Sequence, residues 1–119
     1  MYLAKRLVLA HFWVAFVAFL GAIVLGEWQM FIRSPLANWV NNPEHYYRSV
    51  TAHGTVMAYV LPTLVAMGFG YAICELALKR PLVGVKWAWA GFWLVVLGTA
   101  TAAVTMAVGK ASVLYTFYP

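Results

Sequence analysis

Three long, nearly uncharged apolar runs, at about residues 7–32, 49–78 and 85–108, decide what this chain can fold into. Each exceeds the roughly 20 residues that a helix needs to cross about 30 Å of hydrocarbon. Lipid offers the backbone no hydrogen-bonding partner, so runs of this length are satisfied as helices, each closing its own ladder. The expected fold is therefore an all-α membrane protein with three transmembrane helices. No repeat, low-complexity tract or linker separates the runs, which makes residues 1–119 a single transmembrane unit. Charged residues are 9% of the chain, against about 25% in a soluble domain. MYLAKR followed by apolar sequence resembles a signal peptide at first sight. The run is too long for one and lacks a small-residue cleavage site, so it reads as a retained span.

Lys5, Arg6, Arg33, Arg48, Lys79, Arg80, Lys86 and Lys110 all flank the apolar runs. The net charge of +5 thus marks span ends facing a lipid bilayer and forms no stripe for nucleic acid. Five of these cations fall on one side and three on the other (Arg33, Arg48, Lys110). That bias predicts a cytoplasmic N-terminus, with the 33–48 connection (RSPLANWVNNPEHYYR) and the C-terminal tail outside. Trp39, Tyr46 and Tyr47 suit the outer interface, Trp87 and Trp89 the inner one. Cys74 is the only cysteine, which excludes an intrachain disulfide or a multi-thiolate metal site.

Small residues four apart (Gly54/Ala58, Ala66/Gly70, Gly68/Ala72, Gly98/Ala102, Thr99/Ala103) predict close helix–helix approach within a bundle. Pro62 predicts a kink in the second span, because it removes a backbone donor and crowds the preceding turn.

His53 lies within that second span, in SVTAHGTVMAYVLPTLVAMGFGYAICEL. An intramembrane ionisable side chain faces the bundle interior and serves a ligand, a proton route or a metal. A neutral imidazole is a common haem ligand; the alternative is a histidine satisfied by a neighbouring threonine or carbonyl. A six-coordinate low-spin haem needs a second ligand on the opposite face of the ring. Met57, one turn along, points the same way as His53. His11 stands near the other end of the bundle, about 20 Å away in depth at 1.5 Å per residue. His45 belongs to the outer connection. Any bis-histidine haem therefore needs a residue from outside these 119.

TAHGTVM (51–57), followed by Pro62 and GFGYAI (68–73), resembles the second helix of subunit I of haem-copper respiratory oxidases, the family of cytochrome c oxidase subunit I. VLYTFYP (113–119) resembles the loop into that family's fourth helix, in wording similar to the B-type branch. The two motifs are about sixty residues apart, in the family's order, with one span between them. The resemblance implies that the chain is an N-terminal fragment, or one piece of a split gene, equivalent to the first quarter of a twelve-helix bundle. It implies that His53 is an axial ligand of a low-spin haem, expected to be b-type. The high-spin haem, the copper ligands and the second low-spin ligand would stand on later helices, in the remainder of subunit I. The implied enzyme is a terminal oxidase, with oxidase subunit II as a partner, in a prokaryotic plasma membrane. It would take electrons from a donor such as cytochrome c, reduce oxygen to water and pump protons; this segment by itself is expected to be inactive.

Other residues carry two readings each. Gly54 permits close approach of a ring or of a helix. Met57, Val60 and Leu64 share the His53 face and suit either a porphyrin edge or a neighbouring helix. Arg48, about one turn from His53, suits a haem propionate or an interfacial snorkel. Tyr115 matches a position near the family's oxygen route, or is an interfacial aromatic. Glu27 and Glu75 stand near span ends, where a solvated carboxylate is ordinary, and none of the spans carries an ionisable residue at mid-depth. The remaining functional alternatives are a non-catalytic three-helix scaffold with a structural His53 and a stand-alone b-type cytochrome.

Overall fold

The computed structural model describes residues 4–37 and 42–109. Helix α1 covers Lys5–Arg33. The second span is compound: α2 (Pro43–Thr55), a π-helical turn (Val56–Val60) and α3 (Leu61–Leu78) run on without a break. Helix α4 covers Val85–Ala107. All three units are long and apolar enough to cross a membrane, and no strand occurs among the described residues. The protein is an integral, all-α membrane protein.

The helix ends follow local chemistry. Ser34 stops α1: its backbone N–H and its hydroxyl both donate to Phe31 O, at 3.0 and 2.7 Å, and Pro35 cannot continue the helix. Helix α2 begins before the apolar run, inside the segment expected as a loop. Asn42 is the reason: its side-chain oxygen accepts from Glu44 N at 3.0 Å, with Pro43 in the first turn, a strong start signal. Lys79 adopts the left-handed conformation (φ 50°) just past α3, and Gly84 (φ 78°) does so before α4.

At Pro62 the chain answers the missing donor with a wide turn. Leu61 N–H reaches back five residues to Val56 O. One extra residue is thereby accommodated just before the proline, the usual form of a single π turn.

The core is small. Leu7, Ala15, Leu64 and Phe92 form its buried centre, where α1 lies against α3 and α4 adds one ring. Gly68 sets the α1–α3 approach: a methyl there would meet His11 Cβ at 3.0 Å and Val8 O at 3.5 Å. The small-residue signal therefore holds at Gly68. Gly54, Gly70 and Gly98 behave differently, since a methyl on any of them would meet nothing within 4 Å. Their small faces are turned away from this three-helix unit. Helix α4 buries only Phe92, so most of its apolar surface is uncovered.

Candidate functional site

His53 is half-buried near the start of the π turn, with its ring against α1. Its Nδ1 donates to Ala22 O at 2.7 Å. A carbonyl oxygen only accepts, so Nδ1 carries a ring proton, and in the neutral ring Nε2 keeps its lone pair. This fixed tautomer is the arrangement metal-bound histidines use, with a backbone carbonyl orienting the ring through the other nitrogen. The expected alternative, a histidine satisfied by a carbonyl, is therefore true of one nitrogen and leaves the other free to bind.

Gly26 makes the contact possible. A methyl at this position would lie 3.2 Å from His53 Cε1 and 3.5 Å from Nδ1, so the ring rests directly on the α1 backbone. Sequence reasoning missed Gly26. Ala22 and Gly26 are a small pair four apart, the same signal read in the other spans, and it would have found them.

The neighbours of His53 sort between the two readings the sequence left open. Leu64 is fully buried in the core with Leu7 and Phe92, and Val60 packs against that cluster. Both serve helix contact. Met57 is 36% exposed; the wide turn from Val56 takes it out of the straight i, i+4 register with His53. Gly54 stands open, with no atom near a would-be methyl.

Arg48 does not snorkel alone. It pairs with Glu44 (Nη2 to Oε1, 3.1 Å) and donates from Nη1 to Ala107 O at 3.2 Å. That carbonyl belongs to the last turn of α4, where cations are favoured. Five residues on a helix turn about 140°, so Arg48 reaches α4 while His53 reaches α1. Beside Arg48 opens a crevice of about 370 Å³ lined by α1, α2 and α4 residues, among them Leu25, His45, Val56 and Met106. His45 is thus an exposed residue of a helix and not of a loop. His53 is not part of that lining.

Glu75 corrects an expectation. It is 3% exposed, and its Oε1 accepts from Ala4 N at 3.3 Å and Leu82 N at 3.1 Å. The carboxylate ties the start of α1 to the loop before α4, because those backbone donors have no helical partner of their own. His11 is also fully buried. Tyr115, Trp39, Lys110 and the VLYTFYP tail lie outside the described residues. Among the described residues no group of three potential metal-binding side chains occurs.

The family model described as "Cytochrome C and Quinol oxidase polypeptide I" matches residues 6–119. The chain belongs to this family. It is 34% identical over 77 residues to cytochrome c oxidase subunit 1 of Thermus thermophilus. That match covers 64% of this chain and 13% of the relative's length. No solved structure matches. A place in the oxidase subunit I family agrees with the resemblance carried by TAHGTVM and with three membrane-spanning helices.

Proposed function

We propose that this chain forms part of the catalytic subunit of a terminal respiratory oxidase, in which His53 Nε2 is one axial ligand of the low-spin haem. One observation carries the reading: Nδ1 is held by Ala22 O at 2.7 Å, so the other nitrogen presents a lone pair in a fixed direction. Such a neighbour raises ligand basicity and fixes ring orientation. Membership of the family supports the haem as the group to be held. When bound, that haem supplies one-electron chemistry at the point where electrons enter. The chain's own part is to hold and orient the ligand and to exclude water around it.

In this reading Gly54 gives a flat group or a further helix room to approach, and Met57 lines its edge. Arg48 keeps α4 beside the site through Ala107 O, and its guanidinium is the group that would meet a propionate. By the family resemblance, Tyr115 would stand beside the oxygen route. The second axial ligand, the high-spin haem and the copper belong to the remainder of the subunit. Oxidase subunit II and a donor such as cytochrome c complete the electron path to oxygen, coupled to proton pumping, in a prokaryotic plasma membrane with the N-terminus cytoplasmic.

The test is His53→Ala in the complete enzyme, read as the reduced-minus-oxidised spectrum beside the immunoblotted subunit level. Loss of the low-spin band at normal abundance is expected, with His45→Ala unchanged. An unchanged band in His53→Ala would leave His53 a structural residue and refute the assignment.

A further inference from the structure

One histidine of the bundle is not explained by haem ligation. His11 is fully buried by α1, α3 and α4. Its Nδ1 lies 2.8 Å from Leu7 O, so Nδ1 donates and, in the neutral ring, Nε2 holds the lone pair. Nε2 is buried and has no hydrogen-bond partner among the described residues. With no exposed surface, His11 cannot be reached by lipid or by a further helix of the subunit. A small molecule held within the bundle would suit it. A buried acceptor left unmade is costly, and internal water is the general remedy where polar groups converge.

Two further polar residues of α3 stand toward this end of the bundle. The Tyr71 ring stands edge-on to the imidazole, centroids 5.4 Å apart, and Tyr71 is only half-buried. Glu75 is one turn further toward the end of α3, on the same face as Tyr71, and is buried with both its described partners on Oε1. Phe92 of α4 closes the other side at 4.8 Å. The remaining titratable groups on the packed elements are remote or turned outward: Lys5 and Arg6 on α1, Cys74 on α3 and Lys86 on α4 are all exposed.

We propose that His11 is an internal proton-accepting site. Its Nε2 binds a water molecule between α1, α3 and α4 and exchanges protons with the lysine-rich end of the bundle past Tyr71 and Glu75. The step is simple acid–base chemistry. A proton carried in by water bonds to the Nε2 lone pair, water is left behind, and Nδ1–H stays on Leu7 O. Neither the family nor the His53 assignment is needed for it.

The experiment is ¹⁵N magnetic-resonance spectroscopy of ring-labelled histidines in the membrane-embedded protein, with His11 assigned by the loss of its signals in His11→Gln. The expected result at neutral pH is a hydrogen-bonded Nε2 that receives magnetisation from water. Acidifying the Lys5/Lys79 side of sealed vesicles converts it to imidazolium, and Tyr71→Phe slows that conversion severalfold. A bare Nε2 signal without transfer from water overturns the proposal, and so does an Nε2 that takes no proton until the bundle unfolds. His11→Phe gives an independent reading. A water-bound site predicts a lower thermal midpoint for this variant; a higher midpoint would show an unsatisfied nitrogen relieved by an apolar ring and would refute it.

Discussion

Gly26→Ala isolates the contact that orients His53. The new methyl would start 3.2 Å from His53 Cε1, against an ordinary carbon–carbon separation of about 3.5–4.0 Å. The ring must retreat by about 0.3–0.8 Å, the difference between those distances. Its bond to Ala22 O, 2.7 Å in the native protein, then stretches toward the outer limit of about 3.2 Å. Weakening one such bond costs a part of about 1 kcal/mol. Replacing glycine inside a helix returns a similar amount, about 1 kcal/mol. The two terms oppose, so stability should change by less than about 1 kcal/mol, and the protein folds. The ligand geometry should not escape. In the complete enzyme the low-spin haem band and its potential should shift at unchanged subunit level, and the His53 Nδ1–H signal should move toward a weaker hydrogen bond. Gly26→Val, with two more carbons aimed at the ring, should abolish the bond and most of the low-spin haem. A Gly26→Val protein with native Nδ1 and haem signals would refute the role given to this contact.

Glu75→Ala removes the acceptor for two backbone donors and should destabilise the bundle by about 2–4 kcal/mol, since bonds to a charged group are worth about 1.5–3 kcal/mol each and part is recovered from water. Glu75→Gln keeps a carbonyl acceptor and should lose about half as much; thermal unfolding in detergent measures both, and equal midpoints for all three proteins would show a solvated carboxylate. Gly68→Leu should force α1 from α3, because the first atom already meets His11 Cβ at 3.0 Å; a loss of about 2 kcal/mol or more is expected from overpacking, and an unchanged midpoint would place the helix contact elsewhere. For orientation, cysteines at Asn42 and Val83 in a Cys74→Ser background should label from opposite sides, both positions being exposed; labelling of both from one side would overturn the three-span topology.

Local length and apolarity alone determined that this chain forms three membrane-spanning helices, and the position of His53 inside one of them singled it out as a candidate ligand. Both follow from a single segment and its solvent. The tertiary structure decided everything that depends on which face meets which helix. These spans are apolar nearly all round, so no polar stripe marks the inward side. Packing between them is driven by shape and by a few polar contacts. The bond from His53 to Ala22 joins residues 31 apart, and that from Glu75 to Ala4 joins residues 71 apart; no periodicity within one span encodes either. Leu64 therefore looked like a neighbour of His53 and proved to be core, and Glu75 looked solvated and proved to be buried. Gly26 is the instructive case. Its pairing with Ala22 was legible as small-residue spacing, but only the ring lying on it shows that the space is kept for an imidazole.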